Sequence, residues 1–186
     1  MEIFKENSFE GEWSLFLDRD GCINRRIVDD YVKSVSEFHF LPGALDAMVV
    51  FGSIFKYVLV VTNQQGIGKQ LMTHADLAQV HSHMDEKVTE AGGRIDQIYY
   101  CPHLALYDPS CRKPNPGMAI QALDQFPELN YRKCIMIGDS GSDIEFGARL
   151  GMYTVFVDEE RKSVNYFGAD CVVSNIKEFS DHLIGE

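Results

Sequence analysis

Short apolar runs punctuate the chain at Ser14–Leu17, Tyr57–Val61, Gln97–Cys101, Cys134–Ile137, Tyr153–Val157 and Cys171–Val173. Most are continuously apolar rather than alternating, which is the pattern of parallel strands covered on both faces. Amphipathic stretches lie between them. Pro42–Phe51 predicts a short helix. Thr73–Ala91 predicts a long one, because Leu77, Val80, Met84, Val88 and Ala91 recur at helical spacing, Thr73 and Asp76 can form a capping box, and Gly92-Gly93 stops it. Asn115 reads as an N-cap with Pro116 at the first helical position, leading into Met118, Ile120 and Leu123. Ser142–Leu150 predicts a last short helix, ended by Gly151. Such alternation specifies an α/β fold: a three-layer α/β/α sandwich of Rossmann type around a central, mostly parallel sheet.

Sheets of this kind bind ligands at the carboxyl ends of their strands. Three apolar runs end there in reactive groups: Asp18-Arg19-Asp20-Gly21, Thr62-Asn63 and Gly138-Asp139. Residues two apart on an extended strand share a face, so Asp18 and Asp20 can act together. Asp18 can bind a divalent cation and attack phosphorus, while Asp20 handles protons. Taken alone, the pair is as well explained by a solvated turn, since Asp-Gly is common in turns. Asp139 is a third candidate metal carboxylate. Asp143 can hold metal-bound water or the loop, or simply favour a helix N-terminus.

Thr62 with the Asn63-Gln64-Gln65-Gly66 loop offers a hydroxyl and N–H groups to phosphoryl oxygens. Gly66-Ile67-Gly68-Lys69 is not a P-loop: Asn63 stands where the first glycine is required and Gln70 where Ser or Thr is required. Lys69 is either a solvated loop charge or a contact for a substrate anion. Lys113 can neutralise charge on a transferring phosphoryl group, and the planar fork of Arg112 suits a second anionic group. Cys101, His103 and Cys111 supply sulfur and imidazole for a structural Zn²⁺, which wants four ligands. Pro109 occupies the fourth position and Asp108 is a possible substitute; the alternative is a loop ordered without metal. His81 and His83, two apart on a predicted helix, face different ways and suggest no site.

Bulk properties narrow the partners. At 186 residues the chain fits a single domain over residues 1–186, the first dozen or so peripheral. A formal charge of −11 argues against nucleic acid or an anionic membrane as partner, but not against a small phosphorylated substrate. The N-terminal residues Met1–Asn7 carry no apolar core of signal-peptide length, and the five cysteines are odd in number and scattered. The expectation is a monomer in the reducing cytoplasm.

The ordered set Asp18-Arg19-Asp20-Gly21, Thr62-Asn63, Lys113 and Gly138-Asp139 with Asp143 resembles the haloacid-dehalogenase-like (HAD-like) phosphatase superfamily. Ile23-Asn24, Asp30-Tyr31-Val32, Cys101-Pro102-His103 and Cys111-Arg112-Lys113-Pro114-Asn115-Pro116-Gly117-Met118 place the likeness in its histidinol-phosphatase-like branch, closest to the heptose-bisphosphate phosphatases. The resemblance spans roughly Phe16 to the C-terminus. It implies a Mg²⁺-dependent sugar-phosphate phosphatase with Asp18 as nucleophile and Asp20 as acid and then base. Mg²⁺ would be held by Asp18, the backbone carbonyl of Asp20, and Asp139. Thr62 and Lys113 would stabilise the phosphoryl group. Substrate would be recognised by Arg112, Asn63, Gln64 and Gln65 and by the segment carrying Asp29 and Tyr31. The implied substrate is a heptose 1,7-bisphosphate, cleaved at C7. A histidinol-phosphate phosphatase and a non-catalytic phosphosugar-binding domain are the alternatives. Two departures stand out: Pro109 breaks the zinc loop, and Ser140 stands where the heptose enzymes often carry Lys.

Overall fold

The computed structural model describes residues 12–159 and 166–185, so the N-terminal stretch read as peripheral lies almost wholly outside it. Its strands are β1 (Ser14–Leu17), β2 (Val58–Asn63), β3 (Gln97–Cys101), β4 (Cys134–Gly138), β5 (Tyr153–Val157) and β6 (Cys171–Val173). They form one sheet in the order β3-β2-β1-β4-β5-β6, and every pairing is parallel. β1 lies at the centre, with Leu15 opposite Val58 on one side and Ile135 on the other.

The continuous hydrophobicity of the strands has a direct cause. Leu15, Leu17, Val58, Val60, Ile135 and Ile137 enter one core, while Phe16, Leu59, Val61 and Met136 enter a second on the opposite face. The helices are α1 (Ala44–Ile54), α2 (His74–Glu90), α3 (Gly117–Gln125), α4 (Gly141–Leu150) and α5 (Ile176–Ile184). Met48 and Phe51 of α1, Val80, Met84 and Val88 of α2, and Phe179 of α5 fill the first core. Met118, Ala119 and Ala122 of α3 and Phe146 of α4 fill the second. The result is three layers, as the alternation of elements predicts.

Helix boundaries deviate where side chains take on other tasks. The Thr73–Asp76 capping box opens α2 as expected. α1 starts later and runs on to Ile54, with Gly43 in the left-handed region before it (φ 74°). α3 starts at Gly117 because the Asn115 amide does not cap it: Nδ2 donates to Asp108 Oδ1 (2.7 Å) and to the Pro109 carbonyl (3.2 Å), closing the loop behind. α5 has no counterpart in the sequence reading. Its signals are Asn175, whose side chain accepts from the Glu178 N–H (2.9 Å), and the buried Ile176 and Phe179. A nine-residue helix after a three-residue strand is too short for its periodicity to stand out.

The chain walks outward from β1 through β2 to β3, then outward in the other direction from β4 to β6. The reversal between β1 and β4 opens a crevice at their carboxyl ends. Asp18 and Asp139 follow those two strands.

Candidate active site

A cavity of about 380 Å³ occupies this crevice, with Asp18, Asp20, Thr62, Lys113, Asp139 and Asp143 among its walls. Asp18 is fixed by its N–H, which donates to the Ile137 carbonyl (2.9 Å). Its Oδ1 accepts from Lys113 Nζ (2.7 Å). The same ammonium lies 2.6 Å from Asp143 Oδ1 and donates to the Val61 carbonyl (2.6 Å). Burial alone would depress the Lys113 pKa; the Asp143 and Asp18 charges outweigh it and hold it above the ordinary value. Asp143 caps α4 from within, its Oδ2 accepting from Ser140 N–H (3.0 Å) and Oγ (2.6 Å). Ser140 is therefore engaged with the helix start. Two glycines make the approach of the strand ends possible. A Cβ on Gly21 would fall 2.0 Å from Asp139 Oδ2, and one on Gly138 would fall 2.2 Å from the Asp143 Cβ.

Carboxylate oxygens of Asp18, Asp139 and Asp143 lie within 4.8 Å of one another. Burial, with Asp143 and Asp139 nearby, pushes the Asp18 pKa above the usual carboxylate range despite Lys113. Burial and Asp143 push Asp139 up as well, against the pull of Arg26, whose guanidinium pairs with it at 3.2 Å. Three hard oxygen donors that repel one another, beside room for a phosphate, fit a Mg²⁺ ion. The Asp20 carboxylate is engaged elsewhere. It accepts from Arg19 Nη2 (2.8 and 3.0 Å), Asn24 Nδ2 (2.9 Å) and Gln64 Nε2 (2.7 Å). Burial works to raise its pKa, but the Arg19 charge and these hydrogen bonds outweigh it and hold it low.

The expected substrate-facing residues divide into two groups. Asp29, Tyr31, Asn63, Gln65 and Arg112 line the cavity, together with Arg26 and Lys69, and Lys69 Nζ sits 5.1 Å from the Tyr31 ring centroid. Gln65 Oε1 also accepts from the Ala105 N–H (3.1 Å). Asn63 clamps the backbone of Lys113 from both sides, accepting from its N–H (3.0 Å) and donating to its carbonyl (3.1 Å). Gln64 is fully buried and bonds Thr62 Oγ1 (2.8 Å) as well as Asp20. Both hold the acidic centre together. Arg19, Asn24 and His81 complete that support. The sequence signal for His81 was its place on the apolar stripe of α2, one turn from Leu77 and Met84.

Of the two readings of the cysteine loop, the zinc one finds no support. Cys101 and Cys111 form a disulfide (Cα–Cα 5.3 Å), so their sulfurs are bonded to each other instead of serving as ligands. His103 is exposed, and no other His/Cys/Asp/Glu cluster of metal-binding geometry occurs among the described residues. The loop is short of a ligand at Pro109 and is tied by Asn115 and by the Gly117 N–H to the Ser110 carbonyl (2.8 Å), which brings the two cysteines together. The purified protein is expected to contain no stoichiometric zinc and to titrate three thiols when denatured without reductant, those of Cys22, Cys134 and Cys171. Metal analysis with thiol counting checks this; zinc at one equivalent with all cysteines reactive would reverse it. No helix among the described residues is long and apolar enough to cross a membrane.

A parallel sheet with an Asp-x-Asp at its central strand end, a buried Lys and a second acidic strand end defines a hydrolase of the HAD-like class, and a family model described as HAD-hydrolase-like matches residues 110–179. The D-glycero-alpha-D-manno-heptose-1,7-bisphosphate 7-phosphatase of Mycobacterium tuberculosis (strain CDC 1551 / Oshkosh) is 42% identical over 134 residues, 72% of this chain and 70% of its own length. The D-glycero-beta-D-manno-heptose-1,7-bisphosphate 7-phosphatase of Neisseria meningitidis serogroup A is 32% identical over 179 residues, 92% of this chain and 95% of its own. The chain belongs to this heptose-1,7-bisphosphate 7-phosphatase family of HAD-like hydrolases. Among solved structures, the D,D-heptose 1,7-bisphosphate phosphatase of B. bronchiseptica, complexed with magnesium and phosphate, superposes with a TM-score of 0.83 at 29% identity, covering 93% of this chain and 98% of that one.

Proposed function

We propose that this chain is a Mg²⁺-dependent phosphatase that removes the C7 phosphate of a heptose 1,7-bisphosphate through an aspartyl-phosphate on Asp18, acting as a monomer. The observation that carries the reading is the buried Asp18 carboxylate at the crevice, 2.7 Å from Lys113 and clustered with Asp139 and Asp143. Family membership supports the substrate, and the magnesium and phosphate in the B. bronchiseptica enzyme support the metal.

Asp18 and Asp139, with the backbone carbonyl of Asp20, would hold Mg²⁺, and Asp143 lies close enough to support the site. The bound metal neutralises the phosphate and the carboxylates it faces. Asp18 Oδ attacks phosphorus as the bond to the sugar oxygen breaks. Arg19 holds the Asp20 pKa low, but the negative charge of an arriving phosphate favours the protonated form that the first step needs; Asp20 then gives its proton to that oxygen and so becomes the base for the second step. It then takes a proton from water, whose oxygen bonds to phosphorus as the Asp18 ester breaks. Lys113 and the Thr62 hydroxyl stabilise the charge that develops on the phosphoryl oxygens. Besides Lys113 the cavity wall carries the cations Arg26, which pairs with Asp139, and Lys69 and Arg112, which would meet the distal phosphate. With Ser140 engaged at the helix cap, that role falls to them.

Phosphate release from the alpha and beta heptose 1,7-bisphosphates and from histidinol phosphate, each with and without Mg²⁺, tests the reading. The expected result is metal-dependent release of one phosphate, with kcat/KM for a heptose bisphosphate at least about tenfold above that for histidinol phosphate. The relative named for the alpha anomer is the more similar of the two, so the alpha sugar is expected to be preferred. Preference for histidinol phosphate would move the substrate, and no release from any of the three would remove the enzymatic reading.

A further inference from the structure

Arg19 heads the large side chains that are fully buried, an unusual place for a permanent cation. Its charge is met by Asp20, with Nη2 donating to both carboxylate oxygens (2.8 and 3.0 Å). Nη1 faces His81 Nε2 at 3.1 Å, from α2 on the far side of the guanidinium. A guanidinium has no acceptor, so His81 Nε2 must accept, and the imidazole proton belongs on Nδ1. Burial, then the Arg19 charge, drives the His81 pKa down to about 3, which keeps that lone pair free. Nε of Arg19 has no partner among the described residues. Removal of the His81 acceptor leaves a second buried N–H unsatisfied, and the guanidinium is then expected to turn toward another acceptor and loosen its grip on Asp20.

We propose that His81 is a positioning residue for the reaction: through Arg19 it holds the Asp20 carboxylate at the angle from which it protonates the leaving oxygen. The proposal rests on the acid/base role of Asp20 given above. Asn24 and Gln64 fix the same carboxylate from the loops after β1 and β2. The Arg19–His81 link adds the only one of these attachments that runs to a helix. Asp20 thus keeps its orientation while its proton leaves and returns.

Two probes separate positioning from simple damage. p-Nitrophenyl phosphate has a leaving group that departs without a proton; glycerol phosphate expels an alkoxide that needs one. His81→Phe keeps the ring volume but removes the acceptor, whereas the Gln in His81→Gln can place an oxygen near the Nε2 position. His81→Phe is expected to slow kcat on glycerol phosphate by about 10- to 100-fold, within the range of a general acid's contribution, and to leave the nitrophenolate burst rate within about threefold. KM should hold, and His81→Gln should restore most of the loss. An equal fall on both probes, or a Gln variant as impaired as the Phe variant, overturns the proposal. If His81→Phe does not fold, ¹⁵N NMR of the wild type decides: a neutral ring with the proton on Nδ1 is expected, and a proton on Nε2 overturns it. Asp20→Asn serves as the control. Failure of that variant to show the same leaving-group selectivity overturns the Asp20 reading and this proposal with it. Failure of the heptose substrate instead appears in the wild type, on a sugar this comparison does not use.

Discussion

Asp18→Asn is expected to lower Mg²⁺-dependent phosphate release by at least about 10⁴-fold, the scale seen when a nucleophile is removed from a working constellation. Asn keeps the size and the hydrogen-bonding edge of the side chain, so the loss reports chemistry rather than packing. The same change is expected to raise the melting temperature of the protein in metal-free buffer. The folded-state pKa of Asp18 is raised by burial and by Asp143 and Asp139. A raised carboxylate contributes stability that is full below its unfolded value and is lost as pH rises through the folded one. Between pH 5 and pH 8 the metal-free fold must either keep Asp18 protonated or carry its uncompensated charge, so the advantage of Asn should grow over that range. Mg²⁺ should stabilise the wild type and have little effect on the variant, because binding to the folded state alone raises stability by mass action. Thermal melts at the two pH values, with and without Mg²⁺, check each part. A variant that retains full turnover would remove Asp18 as the nucleophile. One that melts below wild type in metal-free buffer at pH 8 would show that the Lys113 contact outweighs the repulsion.

What sequence could and could not reveal follows from the range of each signal. Asp18, Thr62 and Asp139 stood out because each ends a buried run, and strand ends converge in any parallel sheet. Strand order, by contrast, depends on long-range pairing. The contact between Arg19 after β1 and His81 on α2 therefore left no local trace beyond a histidine on an apolar stripe. Asn63 and Gln64 sit in a loop whose amides could serve a phosphate equally well on sequence grounds; only the fold shows them holding Lys113 and Asp20. Cys101 at the end of β3 and Cys111 in the loop before α3 suggested zinc by residue type. Their pairing with each other depends on how Asn115 and Ser110 draw the loop closed.

Lys113→Met is expected to cost more stability than any exposed substitution and to reduce turnover as well. Met approximates the length of the Lys stem, so the lost features are the charge and the hydrogen bond to the Val61 carbonyl. What remains is Asp18, Asp139 and Asp143 in a buried cluster, with the partly exposed Arg26 as the nearby cation. Breaking a buried ion pair from one side costs about 3–5 kcal/mol, because the partner charge stays behind. For a chain of this size that is a fall of roughly 6–20 °C in melting temperature. The sign of the pH dependence identifies the cause. Lys113 has a raised folded pKa, so its contribution in the wild type is intact below the ordinary lysine value and constant between pH 5 and pH 9. In the variant Asp18 and Asp139 lose a charge that opposed their upward shift, so their pKa values climb further and stability drains away as pH rises. Lowering the pH toward 5 should recover part of the loss by protonating them, and Mg²⁺ should recover part of it at pH 8 by replacing the missing positive charge. Turnover should still fall about 10²- to 10³-fold with Mg²⁺ present, since the metal cannot also occupy the Lys113 position against the phosphoryl oxygens. A variant whose melting temperature is independent of pH and of Mg²⁺ would show that Lys113 is not the counter-charge of the acidic cluster, and the electrostatic account of the site would fail with it.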